Sequence, residues 1–103
     1  MIEVEHWDEA RDGELSETSL RHKLESRGYR VSRYLYPPAT RFPPHSHDND
    51  KLDAVLSGRF LISVDGVAMA LQAGDCLFIP SGVRHSAEVL GDDVVVSLDG
   101  VRD

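Results

Sequence analysis

The sequence predicts an all-β domain, a small sandwich or barrel, preceded by one short helix. From Tyr29 onward apolar residues repeat with period two, in short runs over 29–36, 51–57, 59–65, 67–72, 76–79, 84–90 and 93–98. Turn residues separate these runs at close intervals, which leaves no room for βαβ crossovers of a dozen or more residues each. The 103 residues suffice for one domain with one core and are too few for two of ordinary size.

Residues 1–14 hold the acids Glu3, Glu5, Asp8, Glu9, Asp12 and Glu14 against Arg11 alone. They are expected to form an acidic N-terminal arm, either frayed or docked through the Trp7 ring. A short helix is expected across 15–28. Ser16 suits its N-cap, Leu15 and Leu20 its hydrophobic staple, and Gly28 its C′ position. Leu20 and Leu24 make a narrow apolar stripe, so this helix reads as a brace against the strands that follow. The β-domain then occupies 29–103. Asp65-Gly66, between two alternating runs, predicts a tight hairpin. Pro37-Pro38 and Pro43-Pro44 cannot donate to a central ladder and belong to bends or strand starts.

Hydrophobic residues make up 41% and charged residues 28% of the chain, the balance of a soluble protein, and no apolar run is long enough to span a membrane. An acidic start is the reverse of an export leader, and the single Cys76 cannot close an intrachain disulfide; both point to the cytoplasm. A net charge of −7 without a basic stripe argues against nucleic acid as a partner.

The stretch "FPPHSHDNDKLDAVLSG", residues 42–58, carries two histidines one residue apart. In a strand, His45 and His47 would present both imidazoles to one side. His85, in "GDCLFIPSGVRHSAEV", is the natural third partner, and three neutral rings from two strands can converge on one metal ion. A polar cluster without metal, or a metal-free ligand pocket, is the competing reading.

These stretches resemble the two motifs of the cupin superfamily. The first, His-x-His followed by an acid and then a glycine, falls here on His45, His47, Lys51 and Gly58; the second falls on Gly74, Pro80, Gly82, His85 and Val89. Chance would place Gly74, Pro80 and Gly82 together in only roughly two or three windows per ten thousand. The resemblance covers residues 45–89, and the strand pattern extends it to the whole β region. It implies a single jelly-roll barrel, often dimeric, with a divalent transition metal (Fe, Zn, Ni, Mn or Cu) held in its mouth by three histidines and a glutamate. Two positions depart from the motif. Val89 replaces an asparagine that is not a metal ligand, and Lys51 stands where the glutamate is expected.

A cation aimed at a divalent ion weakens metal binding unless something compensates. Asp53 shares a strand face with Lys51 and can supply a carboxylate or pair with the ammonium. Asp48 or Asp50 can reach in from the loop. Alternatively Lys51 stands beside a three-histidine centre with a depressed pKa, as a base or an anion holder, or no metal binds at all.

Tyr34 and Tyr36 share one strand face, with Val31, Arg33 and Leu35 on the other; with Phe60, the tyrosines are the pocket-lining candidates. Phe60, Ile62 and Val64, together with Phe78 and Ile79, read as core. Cys76 reads as packing, and His6 and His22 as solvated surface. No residue beyond the ligand set is a catalytic signature. Two functions are therefore carried: a metal-dependent enzyme of oxygenase, isomerase or lyase type on a small molecule, and a metal-free binding or sensing barrel using Lys51 and Asp53. A homodimer is expected from the resemblance and from the sheet edges that a sandwich must hide.

Overall fold

A computed structural model describes residues 2–103. Its elements in chain order are β1 (Val4–Glu5), α1 (Glu9–Asp12), α2 (Glu17–Ser26), β2 (Arg30–Tyr36), β3 (Arg41–His45), β4 (Asp50–Ser57), β5 (Arg59–Val64), β6 (Val67–Leu71), β7 (Cys76–Ile79), β8 (His85–Leu90) and β9 (Val95–Arg102). The strands form two antiparallel sheets, ordered β1-β7-β4-β9-β2 and β3-β8-β5-β6. The fold is all-β, a jelly-roll barrel with short helices before it. No described helix is long and apolar enough to cross a membrane.

Period two sorts the side chains. Val55, Leu77, Ile79 and Val95 of the larger sheet meet Phe60, Ile62, Val64, Leu71 and Val89 of the smaller one, which forms the core between the sheets. The alternate residues of the larger sheet, Leu52, Ala54, Cys76 and Leu98, point outward and are covered by Leu20 and Leu24 of α2. That is why β4 and β7 are buried on both faces although they belong to a two-layer barrel. Helix α2 begins as expected: Ser16 caps it through a capping box, and Gly28 follows its end at φ +90. Asp65 and Gly66 join β5 to β6 with φ values of +51 and +78, as a type I′ hairpin requires.

Several expectations need correction. The residues expected as an acidic arm include strand β1, which pairs with β7, and the helical turn α1. Of the two readings of this segment, docking through Trp7 is the one seen: the ring packs against the α2-side core, its Nε1 donates to the Gly13 carbonyl at 2.8 Å, and Lys23 Nζ sits 5.0 Å over it. Glu5 and Asp12 are anchored by Lys23 at 2.9 and 3.1 Å. Phe78 is not core. It shares the outward face with Cys76 but lies beyond the cover of α2 and is 40% exposed, whereas Ile79 is buried. His22 is exposed as expected, but His6, also exposed, donates from Nδ1 to the buried carboxylate of Asp75 at 2.7 Å. Cys76 is buried packing, its thiol pushed up to about 11 by burial.

Candidate metal centre

Each of the three histidines is delivered by a different backbone device. β3 lies at the edge of its sheet, where Pro43 and Pro44 cost no central ladder bond. Phe42 pairs with Ala87 and His45 with His85, so β3 spends one more residue than β8 over this interval. The resulting bulge at the prolines turns His45 inward, where strict alternation from Phe42 would have pointed it out. His85 opens β8 directly opposite. His47 is not on a strand, contrary to the expectation that it shares one with His45. It lies in the loop before β4, held by the turn that carries Pro80 and Gly82: Gly82 N–H donates to the His47 carbonyl at 2.8 Å, Ser81 N–H to Asp50 Oδ1 at 2.9 Å, and Ser81 Oγ to the Asp48 carbonyl at 3.1 Å.

The three rings face one another, with centroids 4.3 to 5.2 Å apart, and one ligand atom from each lies within 4.8 Å of the others. Two of the three, His45 and His85, meet carbonyls two residues upstream. Nδ1 of His45 lies 2.7 Å from the Pro43 oxygen and Nδ1 of His85 lies 3.1 Å from the Val83 oxygen. A carbonyl only accepts, so both Nδ1 atoms carry the proton and both Nε2 lone pairs are free. His47 Nε2 is buried without a hydrogen-bond partner among the described residues. Burial first, and then the charges of Lys51 and the neighbouring histidines, hold His47 below the usual imidazole range; burial likewise lowers His85 against the pull of the Val83 carbonyl. These are donors of the kind that transition metals take, and such an ion would satisfy the buried orphan nitrogen. The residues fit one.

No carboxylate among the described residues joins the cluster. Asp50 is committed to Ser81 and to Arg102, 3.4 Å away, and Asp48 is exposed. Lys51 Nζ lies 3.2 Å from Asp53 Oδ1 and 3.5 Å from Asp99 Oδ2. The depressed pKa open for Lys51 is not found: burial lowers it, but the two carboxylates outweigh burial and raise it, so Lys51 is an ammonium rather than a base. Asp53 is pushed up to about 7 by burial and by Asp99, against the pull of Lys51.

Asp99 was not among the candidates, because only the register of β9 against β4 sets it opposite Asp53. It also accepts from Tyr36 Oη at 3.2 Å and from Ser97 Oγ. Burial, followed by the charge of Asp99, raises the Tyr36 phenol, so Tyr36 remains a donor.

A cavity of about 240 Å³ joins these groups. Tyr34, Tyr36 and Phe60 line it, so the tyrosine face of β2 is the inner one; Lys51, Asp53 and Asp99 form its charged wall, and the histidines a third side. Tyr36 stacks on Phe60 at 5.4 Å and meets Phe42 edge-on at 4.9 Å, which makes one wall aromatic.

An uncharacterized protein of Sinorhizobium fredii, y4oW, is 30% identical over 59 residues, which are 57% of this chain and 27% of that protein. A chain from the crystal structures of the DMSP lyases RdDddP and RnDddQII superposes with a TM-score of 0.66 at 26% identity, covering 73% of this chain and 38% of that one. A cupin protein from Bacteroides fragilis gives a TM-score of 0.64 at 31% identity, covering 71% and 64% respectively. This chain thus spans less than two thirds of each of these relatives. The family model described as Cupin domain matches residues 32–100, the stretch from β2 to β9 that carries all three histidines. The chain belongs to the cupin family.

Proposed function

We propose that His45, His47 and His85 hold one divalent transition-metal ion through their Nε2 atoms, and that the adjoining cavity binds a small organic molecule on which the ion acts. The observation that carries this reading is the buried, unpartnered Nε2 of His47, in a cluster where one ligand atom of each ring lies within 4.8 Å of the others and where backbone carbonyls occupy Nδ1 of the other two. A polar cluster without metal would leave that nitrogen desolvated at a cost of about 1–3 kcal/mol. The metal-free alternative built on Lys51 and Asp53 gains less support, since those groups pair with each other and with Asp99.

Such an ion supplies Lewis-acid or redox chemistry to a bound molecule. The chain's own residues position that molecule. Tyr36, Phe42 and Phe60 receive its apolar part and exclude water, while Lys51 offers an N–H donor beside the histidines. The likeness to a chain from DMSP lyase structures supports an enzymatic reading.

The test is a titration with Zn(II), Ni(II) and Fe(II) followed by native mass spectrometry. One ion per chain, lost in His85→Ala, supports the proposal; no bound ion with any of the three overturns it. A homodimer belongs to the same reading, since β2 is a sheet edge carrying Leu35 at 55% exposure. A monomeric mass in light scattering contradicts that part alone.

A further inference from the structure

We infer that Lys51, clamped between Asp53 and Asp99 beside the three histidines, makes the cavity a receptor for a small organic monoanion, a carboxylate with an apolar body. The inference rests on the metal reading above and specifies what the cavity takes.

Charge decides it. The histidines bring no negative charge to an ion, and no carboxylate among the described residues joins their cluster. The two acids in the cavity wall are engaged elsewhere. Asp99 accepts from Tyr36 and Ser97, and both Asp99 and Asp53 face the Lys51 ammonium. With a divalent ion in place, the ion and Lys51 bring three positive charges against at most two negative ones, from Asp99 and from Asp53 when its raised carboxyl is ionised. At least one positive charge is left over in a wall that is largely shielded from water, where uncompensated charge is costly. A monoanion closes the count; a neutral ligand does not. Without the ion Lys51 is already balanced by Asp99 and Asp53, and the wall has no positive charge left for an anion.

Geometry agrees. An ammonium has three N–H donors, and two carboxylates leave at least one for the cavity that Lys51 lines with His47 and His85. Lys51 is near enough to those rings for its charge to be felt by both. A carboxylate set between the lysine and the histidine side would meet positive charge from two directions. Its apolar body would then lie along Tyr36, Phe42 and Phe60. The cavity, about 240 Å³, has the volume of on the order of eight waters, which suits a single small acid. The position of Lys51 in the chain, where the family motif has an acid, means that the negative charge a metal centre needs comes from the ligand.

Benzoate and its neutral isostere benzamide test this by calorimetry on zinc-loaded protein, on metal-stripped protein and on zinc-loaded Lys51→Met, with zinc content measured in each. Zinc-loaded wild type is expected to bind benzoate at least about thirtyfold more tightly than benzamide. The preference should vanish in the stripped protein and fall to within about threefold in Lys51→Met, which keeps its zinc. Equal binding of the two probes by zinc-loaded wild type, or no binding of benzoate, overturns the inference without any variant. Undiminished benzoate binding by Lys51→Met overturns it as well. Failure of wild type to take up zinc, read independently by elemental analysis, overturns the metal reading and this inference with it.

Discussion

Asp53 and Asp99 stand opposite each other across the β4–β9 pair, and the Lys51 ammonium reaches both, at 3.2 and 3.5 Å. Two carboxylates this deep cannot both ionise without a cation between them. The lysine that departs from the family motif is therefore a counter-ion for this pair. It stands beside the histidines, paired with the two carboxylates.

Lys51→Ala should destabilise the fold by about 3 kcal/mol, because it leaves two buried acids facing one another. Urea unfolding at neutral pH measures this. Adding Asp53→Asn to that variant should recover a large part of the loss, and strict additivity of the two substitutions would contradict the coupling.

The same pair predicts a pH dependence. The Asp53 carboxyl has an ordinary value of 3.8 and is raised to about 7 in the fold. A raised carboxyl contributes stability that is fully present below the unfolded value and is lost as pH rises through the folded one. Metal-free protein should therefore lose stability from this group between pH 4 and pH 7, and Asp53→Asn should flatten that part of the curve. A wild-type and an Asp53→Asn profile of the same slope would refute it.

The histidine set and the barrel were legible because they rest on local signals: motif spacing, alternation and the Asp65-Gly66 turn. What stayed hidden depends on contacts between distant segments. The prolines of β3 read as a bend, and they do make the bulge that aims His45, but they also concealed the strand. β9 runs on through Asp99 and Gly100 to Arg102, where the apolar alternation fades, so Asp99 carried no signal of its own. The acids of the arm read as solvated because Lys23 and Arg27, which hold Glu5, lie a helix away in sequence.

Two glycines separate conformational strain from contact. Gly58 has φ +83, and a Cβ there would meet the Val94 carbonyl oxygen at 2.6 Å and Val95 Cα at 3.0 Å. Gly82 has φ +81 with nothing within 4 Å. Gly82→Ala should cost about 1 kcal/mol and Gly58→Ala at least about twice that, both read by thermal or urea unfolding.

Trp7→Ala should loosen β1 from β7 and cost about 2 kcal/mol, since the ring fills the space over Gly74 and holds Gly13 and Lys23. Amide exchange at the β1–β7 pairing measures it: protection there should fall while that of β4 and β9 holds. Unchanged protection would mean that the segment docks without the ring.

The central claim is that three histidines form a metal centre in the presence of Lys51. Elemental analysis of wild type and His47→Ala, purified without chelator or affinity-tag nickel, tests it most directly. The account predicts about one equivalent of a transition metal in the wild type and almost none in the variant. Equal metal in both, or none in the wild type even after incubation with Fe(II), Zn(II) or Ni(II), would contradict it.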